Sequence, residues 1–161
     1  MFKGTLSAIY YAGESSEPMT SKESVVVEAG RGILGDRYAE ASSAKSKPEN
    51  QITLIEAEAI EAVPREYGFE ITALETRRNL VTCGVPLNHL VGREFCVGAV
   101  RMRGILLCEP CAHLAKLTGK KVVKALRHRG GLRAEVLDDG EIRVGETITL
   151  AGGEADSTSA G

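Results

Sequence analysis

Tryptophan is absent from these 161 residues, and all aromatics together make up only 4%. So sparse a supply argues against a surface that stacks the bases of single-stranded nucleic acid. No apolar run approaches the roughly 18 residues that a membrane span needs. Met1-Phe2-Lys3-Gly4-Thr5 is followed by no apolar segment with a small-residue cleavage site, as a secretory signal would be. Walker, G-x-S-x-G and H-E-x-x-H motifs are all missing, so phosphoryl transfer, serine hydrolysis and zincin chemistry lack support. What remains is the expectation of a soluble cytoplasmic protein with neither membrane nor nucleic acid as partner. With 43% hydrophobic and 26% charged residues, the chain reads as one globular domain over 1–151, followed by a disordered tail at 152–161.

The net charge of -2 hides a strong segregation. Residues 76–133 carry 12 Lys/Arg against 2 Asp/Glu, whereas 1–75 carry 7 against 13 and 134–161 carry 1 against 7. A basic middle segment suits a face that attracts an anion, or a solvated face that acidic neighbours neutralise on folding. Short β-like runs dominate at Gly4–Tyr10, Ser24–Glu28, Gln51–Ile55, Asn79–Thr82, Glu94–Val97, Ala99–Leu107, Gly131–Leu137 and Thr147–Leu150, which predicts a mainly β barrel or sandwich. Helical spacing appears at Glu56–Tyr67, broken by Pro64, and at Pro110–Leu117 and Lys121–Arg127. Asp138-Asp139-Gly140 has the composition of a tight hairpin turn and is expected to join Ala134–Leu137 to Glu141–Val144 as the pair that closes the sheet. Ala39–Asn50 reads as an exposed loop.

The densest chemical signal is Cys108-Glu109-Pro110-Cys111, where an apolar strand ending in Ile105-Leu106-Leu107 hands over to a helix. Pro110 suits the first helical position, which puts Cys111 in the first turn, where unpaired N–H groups favour a thiolate. Such a sulfur is a nucleophile or a soft metal ligand; either cysteine equally suits an inert core position. Structural zinc lacks its usual paired spacing, because Cys83 and Cys96 form no second C-x-x-C. A thioredoxin-type redox centre matches locally but lacks the surrounding βαβ pattern. Thr76-Arg77-Arg78-Asn79 offers guanidinium forks and an amide suited to a phosphate-bearing, heteroatom-rich ligand. Gly30-Arg31-Gly32-Ile33-Leu34-Gly35-Asp36 reads as a positive-φ turn or a close approach to a ligand, with Asp36 as a polar contact. His89 and His128 stand without an obvious partner, and Lys120 to Arg133 form a basic run without aromatic interleaving.

Taken in order, Gly32-Ile33-Leu34-Gly35-Asp36, Gln51-Ile52-Thr53-Leu54-Ile55, Thr76-Arg77-Arg78-Asn79-Leu80-Val81-Thr82-Cys83-Gly84-Val85, Leu87…Leu90-Val91-Gly92, Cys108-Glu109-Pro110-Cys111, Gly130-Gly131-Leu132-Arg133-Ala134-Glu135-Val136 and Gly140-Glu141-Ile142…Gly145-Glu146…Ile148 closely resemble a MOSC domain. That domain forms the C-terminal part of molybdenum cofactor sulfurases and also occurs as small stand-alone bacterial proteins. The resemblance implies a β-barrel with a pocket for the molybdenum cofactor. It implies that Cys111 carries sulfur as a persulfide or ligates molybdenum, with Cys108 at a more variable partner position. It further implies that Arg77 and Asn79, matching an R-x-N element, help hold the anionic pterin; Arg78, Gly35, Asp36 and Arg133 complete the expected cofactor-binding set. Pyridoxal phosphate is not expected in this chain. A separate cysteine desulfurase or redox partner is implied instead, in sulfur transfer or in reduction of N-hydroxylated compounds. The alternatives are a non-catalytic cofactor-binding or storage module and a C-x-x-C thiol redox protein.

Overall fold

Alternating apolar residues give most strands one inward face, and the sheet they build closes on itself. The computed structural model describes residues 2–14, 17–40, 47–110 and 112–152. In chain order these form β1 (Lys3–Tyr11), β2 (Thr20–Lys22), β3 (Ser24–Glu28), β4 (Gly32–Ile33), α1 (Arg37–Glu40), a 3₁₀ turn (Pro48–Asn50), β5 (Ile52–Glu56), α2 (Ala57–Tyr67), α3 (Ala73–Thr76), β6 (Leu80–Cys83), a second 3₁₀ turn (Leu87–Leu90), β7 (Glu94–Val97), β8 (Val100–Leu107), α4 (Ala112–Thr118), α5 (Val122–Ala125), β9 (Leu132–Val136), β10 (Gly140–Arg143) and β11 (Thr147–Leu150). Seven strands run β1-β11-β7-β8-β9-β5-β6 and return to β1, so the fold is the expected barrel, with β2 added beside β1. The β5–β6 pair is parallel, and α2 and α3 supply the long crossover that a parallel pair requires.

On β9, Leu132, Ala134 and Val136 face the barrel core while Arg133 and Glu135 face out; on β7, Phe95 and Val97 face in while Glu94 faces out. Leu6, Ile9, Ile52, Leu54, Leu80, Phe95, Met102, Leu132 and Ile148 are fully buried there, each stabilising the fold by about 1.5–3 kcal/mol. A second core lies outside the barrel wall. Ile55 of β5 and Val81 of β6 pack beneath Val63, Leu114, Val122 and Leu126 of the helices. Strand β5 is thus buried on both faces, which explains its unbroken apolar run.

The expected hairpin at Asp138-Asp139-Gly140 does not form. β9 belongs to the barrel, whereas β10 joins β3 and β4 in a separate three-stranded sheet. The two aspartates are drawn apart: Asp138 accepts from the Arg101 main chain and guanidinium, and Asp139 from the Ala29 N–H at 2.8 Å. The barrel is closed by β1 with β11 instead. Helix α4 opens at Ala112, not at Pro110. The Ala39–Asn50 stretch begins in α1 and ends in the 3₁₀ turn; 41–46 and the expected tail from 153 onward lie outside the described residues. Among the described residues no helix is long and apolar enough to cross a membrane.

Candidate functional site

Cys111 lies outside the described residues, so the site is built from the turn that leads to it. The Cys108 N–H donates to the Gly131 carbonyl at 2.7 Å, which ties the end of β8 to the residue preceding β9. Cys108 itself is buried. Gly130 passes so close that a Cβ there would stand 2.5 Å from the Cys108 carbonyl oxygen and 2.8 Å from the Pro110 ring. Gly131, at φ +119°, meets strand β5 in the same way, its missing Cβ falling 2.0 Å from the Leu54 oxygen. The glycine pair therefore wedges the turn between β5 and β8.

Arg78 locks this arrangement. The residue is 8% exposed, and its Nε donates to the Gly130 carbonyl at 2.7 Å. Nη2 donates to the carbonyls of Cys108 at 2.9 Å and Glu109 at 3.4 Å, and Nη1 to that of Thr76 at 3.4 Å. All four acceptors are neutral, and no carboxylate pairs with Arg78 among the described residues. A buried cation held only by carbonyl dipoles keeps an unneutralised positive charge at the turn.

Asn79 points elsewhere. Its Oδ1 accepts from Thr53 N at 3.0 Å and Thr53 Oγ1 at 3.2 Å; its Nδ2 donates to the Tyr10 carbonyl at 3.1 Å and to Asp36 Oδ1 at 3.3 Å. Fully buried and bonded at both ends, it joins β1, β5 and β6 and has no polar atom left for a ligand. Asp36 is equally enclosed: Oδ1 accepts from Ala12 N and Arg37 Nη1, and Oδ2 from Tyr38 N. Burial pushes its carboxyl above the ordinary value, while Arg37 and these hydrogen bonds act against that rise. Gly35 precedes it with its N–H on Glu40.

Arg77, in the left-handed region at φ 61°, caps α3 and donates to the Glu17 carbonyl; burial and the nearby Arg37 lower its pKa. It lines a cleft of about 210 Å³ with Met19, Leu74 and Leu117. Arg133 stands on the outer face of β9, directly across from Thr53 of β5. One of its nitrogens donates to the Glu49 carbonyl at 3.1 Å. The structure thus joins Arg78, Gly130 and the cysteine turn, and places Asp36 with Asn79 in a node of their own.

Sequence reasoning missed one partner. His128, also left-handed at φ 63°, gives its N–H to Glu109 Oε1 at 2.6 Å, and its Nδ1 lies 2.8 Å from Glu109 Oε2. Nothing local signals this contact, because 19 residues separate the two and only the approach of Gly130 to the turn brings them together. Part of the basic segment is neutralised along the barrel wall: Arg101 pairs with Asp138, and Arg103 with Glu94 and Glu135.

Three comparisons bear on this arrangement. The MOSC domain model matches residues 41–149. A comparison with curated protein sequences finds no match. Among solved structures, the YuaD protein from Bacillus subtilis superposes with a TM-score of 0.75 at 16% identity, covering 92% of this chain and 97% of that one. YiiM from Geobacillus stearothermophilus gives 0.71 at 17% identity over 92% and 75% of the two chains, and YiiM from Escherichia coli 0.67 at 16% over 94% and 70%. At these identities the structures establish a shared fold.

Proposed function

This chain belongs to the MOSC domain family, a family associated with molybdenum cofactor binding, and from that premise we propose that it holds the molybdenum cofactor against the Cys108–Cys111 turn, with Cys111 supplying a thiolate to the metal–sulfur centre. The observation that carries this reading is the unneutralised Arg78. A turn that merely packed two thiols has no need of a buried cation, whereas a thiolate and an anionic cofactor are the charges such a cation favours.

The residues fit the group. Sulfur is the soft donor that such a centre takes, and guanidinium forks match phosphate. Arg133, with one nitrogen on Glu49, and Arg77 supply the forks; Arg78, Asn79, Gly35 and Asp36 hold the elements that carry them. When bound, the cofactor supplies a redox-active metal with sulfur around it. The chain's part is to fix the turn through Arg78 and Gly130 and to favour the ionised thiol. A second reading makes the same thiolate a persulfide carrier fed by a separate cysteine desulfurase. It is favoured by the Glu109–His128 pair, a carboxylate and an imidazole on the segment that leads to Cys111.

The test is metal analysis with native mass spectrometry on protein made in a host that produces the cofactor. Stoichiometric molybdenum, lost in Cys111→Ser and reduced in Arg133→Ala, is the expected result. A gain of one sulfur mass on metal-free protein after treatment with a desulfurase selects the carrier. Cofactor that survives Cys111→Ser marks a storage module. Wild type that takes up neither molybdenum nor sulfur overturns both readings.

A further inference from the structure

The segment that leaves the barrel at Cys108 and returns at Gly131 is held by more than Arg78. Asn88, on the 3₁₀ turn between β6 and β7, donates from Nδ2 to the His128 carbonyl at 2.6 Å. Its mount is rigid. The flanking Leu87 and Leu90 are buried in the barrel core, and the carboxylates of Glu56 and Glu58 accept from the main-chain N–H groups of Leu87 at 3.2 Å and Gly84 at 2.9 Å. Asn88 itself is exposed, so water would satisfy its amide equally well; what the bond to His128 adds is a fixed link across 40 positions of chain. His128 passes that link on. It stands in the left-handed region at φ 63°, which disfavours any residue with a Cβ and which glycine adopts freely. The histidine supplies what glycine lacks: besides a main-chain N–H on Glu109 Oε1 at 2.6 Å, a ring whose Nδ1 lies 2.8 Å from Oε2. Both oxygens of Glu109 are thereby held, next to Cys108 in the chain and two residues before Cys111.

We infer that Asn88 is a positioning residue for the cysteine turn: acting through His128 and Glu109, it keeps the turn in the arrangement that takes the cofactor. The inference rests on the cofactor reading proposed above. Arg78 fixes the main chain of the turn at the Cys108 and Glu109 carbonyls, and the Asn88 link fixes the Glu109 side chain. With both held before a ligand arrives, less ordering is left to be supplied on binding. Without the Asn88 bond, the His128 peptide is free to leave its disfavoured conformation, and Glu109 then loses the partner of both its oxygens. No proton moves in this link; it acts through position.

The test uses full-length protein: molybdenum per chain after expression in a host that produces the cofactor, and urea unfolding and main-chain amide exchange on the metal-free form. Asn88→Ala and Asn88→Asp, the latter of the same shape but with no hydrogen to donate, each take up about fivefold less molybdenum than wild type, the weight of one hydrogen bond. Their His128 amides exchange about fivefold faster, while the urea midpoint and the exchange of the buried Leu54 amide stay as in wild type. Asn88→Gln, which offers the same donor from an exposed position, recovers most of the loading. On a Glu109→Ala background, Asn88→Ala adds no further loss, because the link to the turn is already cut. Unchanged loading, an equal further loss on that background, or a loss that Asn88→Gln does not recover overturns the inference. Wild type that takes up no molybdenum defeats the cofactor reading instead, and amide exchange then decides: a faster His128 amide in Asn88→Ala sustains the hold on the turn, and an unchanged one overturns it.

Discussion

The outer barrel wall and the cysteine turn use arginine in opposite ways. On the wall, Arg103 of β8 lies between Glu94 of β7 and Glu135 of β9, at 2.7 and 2.9 Å, in strand register with both. Those charges are matched and partly exposed, and such pairs contribute little, about 0–1 kcal/mol. At the turn, Arg78 is buried and answered only by carbonyls. Compensated charge decorates a strand; uncompensated buried charge fixes a turn and favours an anion beside it. The comparison separates basic residues that pair along a strand from the one that holds the turn.

The largest effect expected from this contrast follows from removing each guanidinium in turn. Arg78→Met strands buried carbonyls that had a charged donor, with an expected loss of about 3 kcal/mol or more in urea unfolding, whereas Arg103→Met costs under about 1 kcal/mol. Equal losses would erase the distinction. Gly130→Ala sharpens it without touching any charge. The added methyl meets the Cys108 oxygen and Pro110 at 2.5 and 2.8 Å, so the turn has to shift. A loss of about 1–3 kcal/mol is expected, accompanied by movement of the Arg78 side-chain NMR signals; an unchanged Arg78 environment would show that the guanidinium does not hold the turn.

The smallest effect comes from a matched charge. Glu75 caps α3 in a capping box with Thr72 and takes a 2.8 Å bond from Lys120. The Lys120 hydrogen bond is the main reason its pKa lies below the ordinary glutamate value. A lowered carboxylate stabilises the fold fully above the unfolded pKa, and that contribution disappears as pH falls through the lowered value. Glu75→Gln is therefore less stable than wild type at neutral pH, with the gap narrowing below about pH 4.5. A gap that persists unchanged into acid would assign the effect to the cap alone. Thermal unfolding at several pH values reads it directly.

Much of the barrel is visible in the chain because strand alternation is a local property. β3, β5, β6, β7, β8 and β11 fall close to where β-like runs place them. β2 and β4 are three and two residues long, too short for any period to show, and the Asp-Gly turn misleads because turn composition says nothing about which sheet receives the next strand. At the candidate site, the C-x-x-C and the basic quartet could be read directly, but not the division of labour within Thr76-Arg77-Arg78-Asn79. Successive side chains leave an extended backbone on opposite sides, so Arg78 reaches the cysteine turn while Asn79 reaches Thr53 and Asp36.

By itself the sequence determined the β-rich class, the family pattern, the thiol pair and the segregation of charge, all of which depend on neighbours along the chain. Tertiary structure decided which cations are neutralised, that Asn79 and Asp36 hold the scaffold together, and that His128 has Glu109 as its partner. Those outcomes rest on contacts such as Arg78–Gly130, Asn79–Asp36 and Glu109–His128, which lie 52, 43 and 19 positions apart. Hydrogen bonding and burial act across such separations only after the barrel has closed and the two glycines have let β5, β8 and β9 come together.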